Sequence, residues 1–277
     1  MKLSIKKIIT KIPVINQLSR SLYIFLNDKI LNFFFQFFPN KGKIYYSKMQ
    51  KKAYEEYTAN LSHAKNLCVG NFNAQESYPY KKYLLEHYKG NKKNALDFAC
   101  GMGRMMLQMS NEFDVVDGVD LSENNLTFAK NYLSENNLTS KRYNLYLSDG
   151  LSVDIPDKKY DFIYSTIALQ HICVHEIRLN IIKDLHKHLH QNGSMCLQFG
   201  FGYDNGIRYF DNFYTARGTN AANDTCIPSE SYLLNIKKEF KNLGFKKINF
   251  KFKISPHPQF GNNYHPIWLF IHLQNSL

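Results

Sequence analysis

Cysteine is present but never placed for metal or disulfide work. Cys68, Cys100, Cys173, Cys196 and Cys226 form an odd, scattered set with no CxxC and no paired Cys/His spacing. This suggests neither a disulfide framework nor a structural zinc site, and it fits a reducing, cytoplasmic setting. No carboxylate/His cluster with ligand spacing stands out, so no metal is expected. Long apolar runs are missing as well. The greasy stretch from Leu22 to Phe38 is broken by Asn27, Asp28 and Lys29, which leaves less than the roughly 18 uncharged residues that a bilayer span needs. Lys11 interrupts the apolar part of a would-be secretory leader, and no small-residue cleavage site follows it.

Acidic residues are almost absent from one end. Residues 1–52 hold eleven Lys or Arg against Asp28 alone, so that segment carries +10 of the total +12 and the other 225 residues only +2. The basic character belongs to an N-terminal arm, not to the body of the chain. Within the arm, Ile5, Ile8, Ile9 and Ile12 follow the spacing of one helical face, with Lys6, Lys7 and Lys11 away from its centre. This is the pattern of a basic amphipathic helix. Such an arm (residues 1–60) can cap the body and roof its pocket. Residues 1–40 can also dock on an anionic membrane, where lysines and buried Ile and Phe act together. A nucleic-acid partner is not expected, because the near-neutral body offers no phosphate-tracking groove.

A chain of 277 residues can bury one α/β core with an appendage. From about Lys81 onward helices and strands alternate, which predicts a parallel sheet covered on both faces. The first strand, Asn94 to Phe98, runs into Ala99-Cys100-Gly101-Met102-Gly103-Arg104, and Met105, Met106 and Leu107 open a helix. Gly101 and Gly103 let the backbone turn tightly and approach a ligand. A second strand, Val115 to Val119, ends at Asp120, seventeen residues past Gly103, where a carboxylate can accept ribose hydroxyls. A nicotinamide fingerprint would want a third glycine where Met106 stands, so that reading is demoted.

The order of motifs resembles the class I S-adenosylmethionine-dependent methyltransferases. Leu96 to Arg104 looks like their first motif, with Ala99 in place of a common glycine, and Gly118-Val119-Asp120-Leu121-Ser122 like their second strand end. Ser148-Asp149-Gly150 resembles the third-strand motif, Tyr160 to Tyr164 the fourth strand, and Asn192 to Leu197 the turn and fifth strand. The β-rich segments Phe245 to Ile254 and Ile267 to Gln274 fit the family's closing hairpin. The resemblance implies a Rossmann-like seven-stranded α/β sheet, mostly parallel with an antiparallel last strand, in a domain over residues 61–277. It implies S-adenosylmethionine as cofactor, with Asp97 on the methionine moiety, Gly101 and Gly103 beneath the cofactor, Asp120 on ribose and Asp149 on the adenine amine. Ala99, Arg104, Leu121, Gly150 and Ser165 would complete its surroundings. Alternatively, Asp97 only caps a turn and Asp149 only starts a loop.

Past the fourth strand, His171 stands where the family often places residues facing the methyl group. It reads as a general base for a hydroxyl acceptor, or as a cap of the following helix. Ser165-Thr166-Ile167-Ala168 replaces the Asn/Asp-Pro-Pro-aromatic motif of nucleic-acid amino-methyltransferases, and no Pro-Cys pair occurs. Residues 200–229 form a long insertion rich in aromatic and hydrogen-bonding side chains, expected to be a substrate lid, or else a cover that never touches the acceptor. Tyr209, Asn212, Tyr214 and Asn220, with Trp268 near the last strand, are the candidate substrate contacts. The lid and the His265-Pro266-Ile267-Trp268 run resemble methyltransferases of bacterial surface-polysaccharide gene clusters. The function expected is O-methylation of a sugar or sugar-linked group, carried out in the cytoplasm or on the inner face of the membrane. The alternatives are N- or O-methylation in lipid or quinone metabolism, or a non-catalytic cofactor-binding scaffold at the membrane.

Overall fold

The computed structural model describes residues 29–58, 79–202, 207–214, 225–254 and 267–275. Strands β1 (Asn94–Phe98), β2 (Val115–Asp120), β3 (Leu145–Leu147), β4 (Tyr160–Ser165), β5 (Leu189–Phe201), β6 (Cys226–Ile227), β7 (Lys247–Ile254) and β8 (Ile267–Gln274) form one sheet in the order β3-β2-β1-β4-β5-β8-β7, with β6 pairing beside β5. All of these pairings are parallel except those of β8, which runs antiparallel to both β5 and β7. This is the expected sheet with its antiparallel last strand. The two-residue β6, at the base of the insertion, is an eighth strand too short to show a period.

The central strands are buried on both faces, so they read as near-continuous apolar runs. Leu96, Phe98, Ile163, Met195 and Leu197 line one face, and helix α5 (His175–Lys187) covers it with Ile177, Ile181, Ile182 and Leu185. Ala95, Phe162, Tyr164, Cys196 and Phe270 line the other, covered by α2 (Tyr80–Leu85) and the methionines of α3 (Arg104–Met109). Helix α4 (Glu123–Glu135) starts at Ser122, whose hydroxyl accepts from Asn125 N at 3.1 Å, a side-chain N-cap. Asp117, fully buried on β2, accepts from Lys158 Nζ at 2.7 Å, from the Tyr160 hydroxyl at 2.8 Å, and from Asn144 N and Nδ2. Those bonds compensate its desolvation.

The arm is part of the same core. Helix α1 (Pro39–Thr58) and the helical residues 29–37 before it place Phe35 and Tyr46 in the main apolar cluster with Leu169, Cys173, Tyr209 and Tyr214. Helix α6 (Ser231–Asn242) adds Ile236 and Phe240 to that cluster. Residues 1–28 and Asn220 lie outside the described residues. The four described cysteines are free and buried. Among the described residues no helix is long and apolar enough to cross a membrane, and no group of three His, Cys, Asp or Glu could hold a metal ion.

Candidate active site

The site lies at the carboxyl ends of β1, β2 and β4. As β1 ends, the chain takes positive φ at Ala99 (59°), Gly101 (54°) and Gly103 (83°), a conformation costly for a residue with a Cβ. Gly103 leads into α3, and a Cβ there would press to 3.1 Å from Ala129 of α4. Gly101 is different, because a Cβ built on it would meet nothing within 4 Å. Its outer face is an open cradle.

Two carboxylates flank the cradle. Asp120 fastens the loop, with Oδ2 accepting from Gly101 N at 2.9 Å and Oδ1 accepting from Ser122 N and Asn125 Nδ2 at 2.9 Å each. Burial raises its pKa while these bonds oppose the rise. Oδ2 keeps a lone pair for a further donor. Asp97, in register with Tyr164 of β4, is buried, and its Oδ2 has no hydrogen-bond partner among the described residues. Burial drives the Asp97 carboxyl well above the usual range; Tyr164 beside it pulls the other way, Asp120 adds to the rise, and Arg104 opposes it. An orphaned carboxylate oxygen beside an open glycine cradle suits a ligand bearing an ammonium group and ribose hydroxyls, the polar groups of S-adenosylmethionine. The residues fit that cofactor.

The remaining cofactor candidates divide. Asp149 is exposed, and its Oδ1 accepts from Leu151 N (2.7 Å) and Ser152 N (2.9 Å), which shapes its own loop and leaves Oδ2 to a ligand. Gly150, at φ 76°, is crowded: a Cβ would come within 2.9 Å of Leu121 and 3.2 Å of Ser47. Arg104 is buried with its guanidinium over the Tyr80 ring. Ser165 is fully buried, and its hydroxyl donates to Phe98 O at 3.0 Å, which ties β4 to β1.

Helix α1 lies over these loops. Ser47 Oγ donates to Asp149 O. The Tyr46 hydroxyl donates to His171 O (3.0 Å) and accepts from Cys173 N (2.8 Å). Glu55 accepts from Glu123 N and Asn124 N at the start of α4, and Lys51 pairs with Glu123. The arm therefore roofs the site. His171 sits half-buried on a 3₁₀ turn, Leu169–His171. It does not cap α5, because Asn212 does so from the insertion, its Oδ1 accepting from Glu176 N at 3.0 Å.

Four of the substrate candidates have partners within the chain. Tyr209 is buried with its hydroxyl donating to Glu239 (2.9 Å). Asn212 is held by α5. Tyr214 is buried against Phe35, and its backbone N and O bond both amide atoms of Asn32, which latches insertion to arm. Trp268 is buried with its indole stacked 4.7 Å from Tyr80.

Three buried polar residues escaped sequence reading. Gln198 is buried on β5, accepts from Ile167 N at 2.8 Å, and keeps Nε2 unpartnered; a glutamine amid Cys196-Leu197 and Phe199 was the available signal. Gln50 of α1 is buried with Nε2 likewise unpartnered. Arg178, fully buried, donates to Ile172 O, Tyr209 O and Thr225 Oγ1, and so supports the His171 turn and the insertion's base.

Residues 95–193 match the family model described as "Methyltransferase domain". No curated protein matches the chain. Among solved structures, an S-adenosylmethionine-dependent methyltransferase from Clostridium acetobutylicum superposes with TM-score 0.56 at 14% identity, over 80% of this chain and 99% of that one. Haemonchus contortus phosphoethanolamine N-methyltransferase 1 gives TM-score 0.56 at 12% identity, over 84% of this chain and 50% of that one. The [4+2]-cyclase SpnF gives 0.55 at 14%, over 76% and 86%. The fold is that of the class I S-adenosylmethionine-dependent methyltransferases. Residues 95–193 are a methyltransferase domain, an enzyme domain whose cofactor is S-adenosylmethionine.

Proposed function

We propose that the chain methylates a hydroxyl of a sugar or sugar-linked acceptor during cell-surface glycan assembly, with His171 as the base. One observation carries the reading. The turn bearing His171 follows β4, is held half-buried, and lies beneath an arm helix whose Tyr46 and Ser47 donate to the loops of the site. S-adenosylmethionine, when bound, supplies a methyl carbon on a sulfonium, a leaving group that needs no acid. The protein's work is then to hold an acceptor in line with that carbon. A hydroxyl must also lose its proton as the C–O bond forms, and an imidazole can take it near neutral pH and pass it to solvent. Asp97 would hold the cofactor's ammonium, Gly101 would let it lie close, and Asp120 would accept from its ribose. The exposed phenylalanines of the arm favour, as a second reading, an acceptor of lipid or quinone metabolism.

The test is calorimetric titration with S-adenosylmethionine, followed by transfer of labelled methyl to nucleotide sugars and lipid-linked glycans. The intact protein is expected to bind the cofactor, Asp120→Ala to weaken it, and His171→Asn to keep affinity while losing about 10²- to 10⁴-fold in turnover. A folded protein with no cofactor affinity would sink the reading. Full turnover in His171→Asn would remove the base.

A further inference from the structure

The helical residues 29–37 have two unlike faces. Inward, Phe35 is 6% exposed in the main core and Asn32 bonds twice to Tyr214. Outward, Ile30, Phe33 and Phe37, spaced i, i+3, i+7, are each 66% exposed, and Phe34 and Phe38 stand beside them. The outward rings touch one another, Phe33 to Phe37 at 5.4 Å and Phe34 to Phe38 at 4.8 Å, so the apolar surface is one ridge. An exposed patch of large apolar side chains on a helix held this firmly marks a contact surface.

Charge says what covers it. No Asp or Glu occurs between residues 29 and 54, a stretch that carries Lys29, Lys41, Lys43, Lys48, Lys51 and Lys52, of which Lys43, Lys51 and Lys52 pair with Glu176, Glu123 and Glu56. Lys41 reaches over the Phe38 ring at 5.2 Å and, like Lys48, is exposed. Residues 1–28 add Lys2, Lys6, Lys7, Lys11 and Arg20 against Asp28. Paired ridges from two copies would bring lysine against lysine, which disfavours an isologous dimer. An anionic bilayer takes both features at once: the aromatic ridge enters the headgroup layer, and Lys41, Lys48 and the basic residues 1–28 supply charge for lipid phosphates.

We propose that the outer face of residues 29–44 is a docking surface for an anionic lipid membrane. Docking holds the arm, and the site loops that α1 latches, at the lipid interface, where a lipid-linked acceptor would be met. The docking itself does not depend on the acceptor proposed above.

The full chain is sedimented with vesicles of phosphatidylcholine alone and of phosphatidylcholine and phosphatidylglycerol in equal parts. Cofactor titration on the same samples keeps the outcome separate from that of the methyl-transfer reading. Expected is pelleting with the anionic vesicles alone, reversed by salt. Phe33→Ser/Phe37→Ser, which alters exposed side chains only, should lower vesicle affinity by roughly tenfold or more, with its circular dichroism unchanged. The proposal is overturned if the wild type stays in the supernatant, or if the double variant pellets equally. It is also overturned if the wild type is a dimer in sedimentation velocity that the double substitution dissociates without any vesicle binding.

Discussion

The buried carboxylate of Asp97 meets two opposing demands. With Oδ2 unpartnered, the ionised form is desolvated without compensation, and burial raises its folded-state pKa. Between the unfolded value, about 3.9, and the raised folded value, the folded protein holds a proton that the unfolded chain has released. Stability therefore falls as pH rises through that window and levels off above it. Asp97→Asn removes the titration. The variant is expected to be more stable than wild type at pH 8 by about 1–3 kcal/mol, with the gap closing as pH falls toward 4, and to bind S-adenosylmethionine about tenfold or more weakly for want of the anion. Thermal melts across pH and calorimetry check both halves, and equal melting at pH 8 would show that the carboxylate bears no such cost.

At the scale of elements, α1 works as a clamp. Through Tyr46, Ser47 and Glu55 it reaches the loops after β4, β3 and β2 in turn, and each contact satisfies a backbone group at a loop or helix start. Tyr46→Phe would remove both the bond donated to His171 O and the one accepted from the buried Cys173 N. The expected loss is about 1–3 kcal/mol in urea unfolding, with turnover falling more than cofactor affinity because the His171 turn loosens while Gly101 and Asp120 keep their bonds. A variant with wild-type stability and turnover would show that the clamp is idle. The described base of the insertion is likewise built in: Asn212 caps α5, and Arg178 gathers Ile172 O, Tyr209 O and Thr225. Replacing a buried arginine that serves several acceptors is among the more disruptive single changes.

The molecule as a whole should unfold as one unit despite its separable-looking arm, because Phe35 and Tyr46 share an apolar cluster with the sheet and α5. The single tryptophan, Trp268 on β8 against Tyr80, reports on the far part of the sheet, while far-UV circular dichroism weights the helices, α1 being the longest described. Coincident denaturant midpoints are expected from the two probes. A helical transition preceding the tryptophan transition would mean that the arm is an independent unit.

Much of this was legible before any coordinates. Strand-rich composition located β1, β2, β7 and β8, and the family resemblance β4, because a strand buried on both faces has little freedom of composition; the glycines after β1 mark a backbone that few other residues can follow. The sequence by itself determined the sheet, the glycine turn after β1, and a basic arm too interrupted to span a membrane. Tertiary structure decided where side chains spend their hydrogen bonds. Tyr209, Asn212 and Tyr214 look alike in sequence to a polar acceptor's contacts, yet each is taken up by a distant partner: Glu239, the start of α5, and Asn32. Composition records that a side chain can donate or accept. Only the fold fixes which group comes within 3 Å of it, and it left Asp97 and Gln198 with unpartnered atoms while bonding Ser165 to Phe98 O and Tyr209 to Glu239.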